Sequence, residues 1–428
     1  MAIGLVLGGG APNLPLMTGA LLALDKAGVD FKVITTTGAG MVAGLLYAAP
    51  KKKDPSDSWE DTRHAALLAT RAWGIDDMIY EMFPANYKIF QKPGKLAEAY
   101  SHATNPFLWS IPRDTRRQRL LGDTLAFWAA MMSPSDLKAS SKGLCQPPPW
   151  IEMLVDFSDL EKNLEPGEKK FRLSAYCIED EEEATFNKEE ITADHFKAAL
   201  AMPFIYTPYK LTGADGITKT YLEGSAFKTL QFNPDHVMRE AEVDTIIFFD
   251  LMGNRHLIDA PRGLIDAWGQ SIIAPLTRLA EDQHEMLAMK RERHLLRRLV
   301  KEKLSVEDLN EVDKTLARLA SETDAESDEV MSPEEHAAED ESDKYLTDTK
   351  ILRMPFRDNI PPEQWPKVLD WSYSNMSELF DIGVKTGEEF AEKHSVRLGL
   401  SKKGWKQAPQ QAAATPASEF HSRLWPGR

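Results

Sequence analysis

Residues 33–49 read VITTTGAGMVAGLLYAA, and the order of residue types in this stretch decides the architecture. Phe31 to Thr35 is a strand-like run in which β-branched residues suit a pleated, buried surface. Gly38 and Gly40 interrupt it, and Gly40 to Ala49 continues as a helix of small and apolar residues that stops at Pro50. A strand that enters a glycine turn and leaves as a helix lifts the turn residue onto a helix N-terminus. That is where a nucleophile elbow sits.

Upstream, Ile3 to Leu7 is a second short β-type run, and it ends in Gly8-Gly9-Gly10-Ala11. Leu16 to Ala27 has helical period and closes at Gly28. Strands alternating with helices over the first fifty residues predict a parallel sheet covered on both faces. Glycines directly after this run let backbone N–H groups converge without Cβ obstruction, as an oxyanion hole or a phosphate cradle requires. A dinucleotide fingerprint counted from Gly8 needs glycine where Asn13 stands, and no Gly-Lys-Ser/Thr follows, which excludes both common phosphate loops. Downstream, residues 202–227 contain MPFIYTPYKLTG and TYLEGSAF, with Glu223 in a turn after an apolar strand. An acid there can serve as base and orienter for a nucleophile across the site.

Taken in order, the three segments resemble the patatin-like phospholipase family. That family joins a glycine-rich oxyanion loop, a G-x-S-x-G elbow and a later D-G-[GA] that carries the catalytic acid. Gly8, Gly9 and Gly10 match the loop, and Gly19 matches a glycine in the helix after it. Ala39, Gly40, Gly44, Leu46, Tyr47 and Ala48 match the helix after the elbow, and Ala201, Pro203, Phe204 and Pro208 match the segment before the acid. Glu223-Gly224 falls where Asp-Gly is expected, and a weaker echo runs through Phe380 to Phe390. The resemblance implies a three-layer α/β/α sandwich with a mainly parallel central sheet, helical insertions and C-terminal helices. It also implies a serine-type acyl ester hydrolase acting on an acyl lipid or acyl ester without a cofactor or metal.

Several positions depart from that pattern. Aligned through Ala39-Gly40, the nucleophile position is Gly38, which has no hydroxyl, and the first elbow glycine is Thr36. Asn13 stands at the usual basic position of the oxyanion loop, and Leu14 replaces a further glycine. Glu223 is one methylene longer than aspartate, a displacement of about 1 Å that can cost on the order of 100-fold in rate.

Two function classes follow. In the first the chain is an enzyme with a displaced nucleophile: Thr37 is the fallback, Glu223 the base, and Gly9 and Gly10 the oxyanion donors, with Gly8 and Ala11 beside them. In the second the chain is a catalytically inactive binding or scaffold protein for an acyl ligand or a protein partner. A third reading, a single change at position 38 of an active enzyme, fits poorly with Asn13 and Glu223.

The remaining chain sets the domain expectations. Residues 1–260 form the α/β domain, with a helical insertion at about 51–168 containing helices over Asp61–Trp73, Lys95–Ala103 and Arg113–Met132. Between them, Met78–Phe90 and Phe107–Trp109 place large apolar side chains in loop-like contexts, as packed core or as a lipid-facing lid. Residues 261–320 read as charged helices, with Leu264 to Lys303 as one helix or a broken pair and Ser305 to Ala320 as another. Ser321 to Asp343 carries eleven Asp or Glu and no Lys or Arg, so 321–349 reads as a solvated acidic loop. Residues 350–400 supply a strand and helices that return to the core, and 401–428 a loose tail. A protein partner, if present, would use 264–343.

A net charge of −15 argues against nucleic acid as a partner. Only Cys145 and Cys177 are present, and no His/Cys spacing suggests a metal site. The N-terminus has no signal-peptide pattern and no window is apolar enough to span a membrane, which predicts a cytoplasmic protein with at most peripheral membrane contact.

Overall fold

The computed structural model describes residues 2–9, 13–52, 54–147, 150–164, 169–213, 215–226, 243–249, 260–261, 263–303, 349–360 and 370–400. The opening unit is β1 (Ile3–Leu7), α1 (Leu14–Lys26), β2 (Phe31–Thr36) and α2 (Ala39–Ala48). A helical excursion follows: α3 (Trp59–Ala69), α4 (Asp77–Met82), α5 (Lys95–Ser110), α6 (Arg116–Met132), the short strand β3 (Gly143–Cys145), α7 (Ile151–Leu154) and α8 (Leu160–Asn163). The chain then returns to the sheet with β4 (Lys170–Cys177), β5 (Glu182–Asn187), α9 (Ala193–Ala199), β6 (Phe204–Tyr206), β7 (Tyr209–Thr212) and β8 (Thr218–Glu223). The last elements are β9 (Thr245–Phe249), α10 (Leu264–Lys303), β10 (Lys350–Arg353), α11 (Phe356–Asn359) and α12 (Tyr373–Lys393).

The central sheet runs β10-β9-β1-β2-β4-β8-β7, with β5 also paired to β4. Pairings from β10 through β4 are parallel, whereas β4–β5, β4–β8 and β7–β8 are antiparallel. Period-two alternation sorts the strand residues between two faces. Leu5, Leu7, Ile247 and Phe249 join the main core with Leu16, Leu21, Leu45 and Phe380 from α1, α2 and α12. Val6, Val33, Ile246 and Phe248 form a second cluster on the opposite face, against Leu287 of α10. The Phe248 and His284 rings lie 6.2 Å apart across that interface. Helices on both faces of a mainly parallel sheet make the expected α/β/α layering.

The main helical layer is held close by two glycines. A Cβ at Gly19 would collide with the Phe380 carbonyl oxygen, and one at Gly383 with the Leu16 carbonyl oxygen. The C-terminal helix therefore packs backbone to backbone on the helix that follows the glycine loop. This fixes the direction from which α1 leaves the site.

Some local readings change. Phe107 to Ser110 lies in α5, which continues through Pro106 instead of ending in a loop. The missing N–H of Pro106 is offset by anchoring on both sides of it. Asn105 exchanges hydrogen bonds with Gln91 at 3.1 and 3.3 Å, and Trp109 is buried edge-on against Trp73 at 6.3 Å. The helix over Asp61–Trp73 starts at Trp59 behind a Ser58 cap and tightens into a 3-10 turn at Thr70–Trp73. Leu264 to Lys303 is one helix. The expected helix at Ser305–Ala320, the acidic stretch, the tail from residue 401, and Gly10 and Ala11 of the glycine loop lie outside the described residues.

Candidate active site

The C-terminal ends of β1, β2 and β8 converge on one point. Gly8 and Gly9 leave β1, and the Gly8 N–H donates to Phe249 O at 3.2 Å. Thr37 N–H, leaving β2, donates to Leu7 O at 3.1 Å, so the glycine loop and the β2–α2 turn are stitched together. Gly38 has φ 53° and ψ −132° and caps α2, whose first turn closes through Gly40 N–H to Thr37 O and Met41 N–H to Gly38 O. A Cβ on Gly40 would strike the carbonyl oxygens of Leu7 and Gly8. The sharp strand-to-helix elbow is thus built, although its apex has no side chain.

What stands over that apex is the end of β8. A Cβ at Gly38 would lie 2.6 Å from Glu223 Oε1, 2.7 Å from Ser225 Oγ and 3.1 Å from Ser225 Cβ. Ser225 Oγ donates a short hydrogen bond to Glu223 Oε1. The pair also touches the glycine loop, because a Cβ at Gly9 would lie 3.2 Å from Ser225 Cβ and 3.3 Å from its Oγ. Glu223 and Ser225 therefore occupy the volume into which an elbow side chain would project. Glycine at 38 and a hydroxymethyl at 225 are sterically linked.

Electrostatics follow from enclosure. Burial pushes the Glu223 carboxyl up to about 7, with the donation from Ser225 acting in the opposite direction. β8 holds this carboxylate in place: Glu223 pairs with Ala175 of β4, and its N–H donates to Ala201 O at 3.1 Å. Gly224 makes the turn between acid and serine fit, since a Cβ there would sit 3.0 Å from Ser174 Oγ and 3.3 Å from Thr37 Oγ1. Burial also drives the Tyr206 hydroxyl far above its ordinary range, followed by the nearby Cys145 and Glu223. The Cys145 thiol is pushed up to about 12 by burial, so it offers no thiolate.

The structure brings Gly8, Gly9, Thr36, Thr37, Gly38, Ala39, Gly40 and Glu223 together. Thr36 Oγ1 is spent on Arg172 O at 3.0 Å. Thr37 Oγ1 is fully buried without a hydrogen-bond partner, while the carboxylate of Glu223 accepts from Ser225. Asn13, in the first turn after the loop, is buried with its Oδ1 also unpartnered. Sequence reasoning missed Ser225. Its signal lay in the third residue of Glu-Gly-Ser, where the D-G-[GA] pattern has glycine or alanine. Among the described residues, no group of three or more His, Cys, Asp or Glu is placed to hold a metal ion.

The aromatic stretches of the insertion divide between core and surface. Ile75, Ile79, Tyr87 and Ala126 form a small satellite core. Above it a cavity of about 230 Å³ is lined by Phe83, Tyr87, Phe90, Trp109, Phe127 and Met131, among others. Met82, Phe107, Leu121, Trp128 and Met132 are exposed. No helix among the described residues is long and apolar enough to cross a membrane.

A family model described as Patatin-like phospholipase matches residues 5–234. The chain belongs to the patatin-like phospholipase family. The match takes in the glycine loop, the elbow, the helical excursion and the Glu-Gly-Ser turn of this patatin-like chain. The family acts on lipid acyl substrates. No curated protein matches the sequence. Among solved structures the chain is similar to VipD from Legionella pneumophila, at 12% identity over 89% of this chain and 67% of that one, with a TM-score of 0.31.

Proposed function

We propose that this patatin-like chain binds an acyl lipid or acyl ester where the glycine loop meets the elbow, and hydrolyses it with Glu223 as general base. The observation that carries the reading is a buried carboxylate, raised to about 7, hydrogen-bonded to a hydroxyl directly above an intact elbow. A base is most effective when its pKa lies near the working pH, because it is then both available and able to take a proton. Gly9 offers its backbone N–H beyond the end of β1, where a developing oxyanion would be stabilised, whereas the Gly8 N–H is held by Phe249 O.

A second reading, an acyl-binding or scaffold protein without turnover, is favoured by one observation: Gly38 has no hydroxyl. One experiment decides between them. Full-length protein is assayed on p-nitrophenyl esters of short and long acyl chains between pH 5 and pH 9, beside Glu223→Gln. Hydrolysis whose kcat/KM rises as pH passes about 7, and which is lost in Glu223→Gln, supports the enzyme. No turnover, together with an acyl lipid that co-purifies with the protein, supports the binding role. Peripheral contact with a membrane and a protein partner along 264–343 are further proposals that the site itself does not require.

A further inference from the structure

We infer that Ser225 is the nucleophile of this site: the hydroxyl that the family carries on the elbow is supplied here from the acid's own turn, two residues after Glu223. The inference rests on the proposed acyl ester hydrolysis and names the atom that performs it.

Three geometric facts converge on Ser225 Oγ. It is the hydroxyl that donates to the buried carboxylate, so its proton already points at a base. It lies 2.7 Å from where a Cβ of residue 38 would be, close to the place an elbow hydroxyl would occupy. It lies against Gly9, 3.3 Å from the Cβ position of that residue, so an acyl carbon bonded to it would carry its oxygen toward the Gly9 N–H. The other hydroxyls around the turn lack this arrangement. Thr37 Oγ1 and Ser174 Oγ are buried without a hydrogen-bond partner, on the Gly224 side of the turn. Thr36 Oγ1 is bound to a carbonyl oxygen.

The changes at three positions then form one device. Removing the side chain at 38 clears the apex of the elbow. Lengthening the acid to glutamate lets its carboxylate advance into that space, and a serine at 225 fills what remains. A serine at 38 and the present Glu223–Ser225 pair cannot coexist without movement, because its Cβ alone would overlap both side chains.

The chemistry balances without any other group. Ser225 Oγ attacks the ester carbonyl carbon while Glu223 takes the hydroxyl proton, forming a new C–O bond and a tetrahedral oxyanion beside the glycine loop. Collapse breaks the bond to the alcohol oxygen, which receives the proton from Glu223 and leaves, with the acyl group now on Ser225. Water then attacks the acyl carbon and gives its proton to Glu223. Collapse of this second intermediate breaks the Ser225 ester bond, returns that proton to Ser225 Oγ and releases the fatty acid.

The test uses full-length protein treated with a fluorophosphonate probe, with the labelled residue located by peptide mass mapping. Turnover of a p-nitrophenyl acyl ester is measured in parallel for the wild type and for Ser225→Ala, whose folding is checked by circular dichroism. The inference predicts the phosphonyl group on Ser225 and a loss of turnover of 1000-fold or more in a folded Ser225→Ala. Label on Thr37 or another residue, or turnover retained within about tenfold in Ser225→Ala, overturns Ser225 as nucleophile and leaves the hydrolase reading standing. Absence of both label and turnover in the wild type overturns the hydrolase reading, and the nucleophile with it. If Ser225→Ala fails to fold, the position of the label on the wild type decides alone.

Discussion

Adding a single methyl group at the elbow probes the packing of the site without substituting either proposed reacting group. In Gly38→Ala the new Cβ would lie 2.6 Å from Glu223 Oε1 and 2.7 Å from Ser225 Oγ, where ordinary contact begins at 3.4 Å. Two costs arise. At φ 53° an L-residue is strained by about 1–2 kcal/mol. Overpacking a closed site costs about 1–3 kcal/mol more, reduced where the carboxylate can rotate away. Together they predict a loss of about 2–5 kcal/mol, read as a lower urea midpoint at unchanged slope. Ser225→Gly removes one of the two colliding groups, so the double variant should recover about 1–2 kcal/mol relative to additivity. If Gly38→Ala unfolds within about 0.5 kcal/mol of the wild type, or adds simply to Ser225→Gly, the two sites do not share one volume. The steric linkage would then be wrong.

Other expectations follow from the same residues. The folded state holds the Glu223 proton up to about 7 whereas the unfolded chain releases it near 4.5, so this group's contribution to stability is greatest below 4.5 and declines as pH rises to 7. The decline should be on the order of 3 kcal/mol, and Glu223→Gln should erase it when urea midpoints at the two ends of that window are compared with wild type. Gly224→Ala places a Cβ 3.0 Å from Ser174 Oγ, and should cost about 1–3 kcal/mol while lowering turnover by shifting Ser225; a fully active variant would argue against a rigid turn. In the helical excursion, buried Asp123 accepts from Lys88 Nζ at 2.7 Å, Arg113 Nε at 3.3 Å and Asp76 N–H at 2.7 Å. Asp123→Asn leaves two cations without their counter-charge and should destabilise by about 3–5 kcal/mol in thermal or urea melts.

The fold was legible where local chemistry and tertiary structure agree. Ile3–Leu7 and Phe31–Thr36 are apolar or β-branched runs bounded by glycine, and they are the adjacent central strands. β5 escaped notice because Glu182, Glu183 and Asn187 obscure its alternation, and only Phe186 is buried. The last turn of α5 escaped because Asn105-Pro106 reads as a breaker, while the packing of Trp109 that holds the helix is a long-range fact. At the site, Gly38 and Glu223 were readable one at a time as departures. That they compensate each other was not readable, because their contact joins two distant loops across the sheet. Ser225 was in plain view beside the acid, but a hydroxyl acquires chemical meaning only from what it faces.

In the proposed mechanism Ser225 and Glu223 form the reacting pair above an elbow whose apex, Gly38, has no side chain. The most direct measurement is a crystal structure of the fluorophosphonate-treated protein. It should show the phosphorus bonded to Ser225 Oγ, the phosphonyl oxygen turned toward the Gly9 N–H, and Gly38 in contact with the adduct. Phosphorus on Thr37, or an unmodified Ser225 turned away from Glu223, would contradict it.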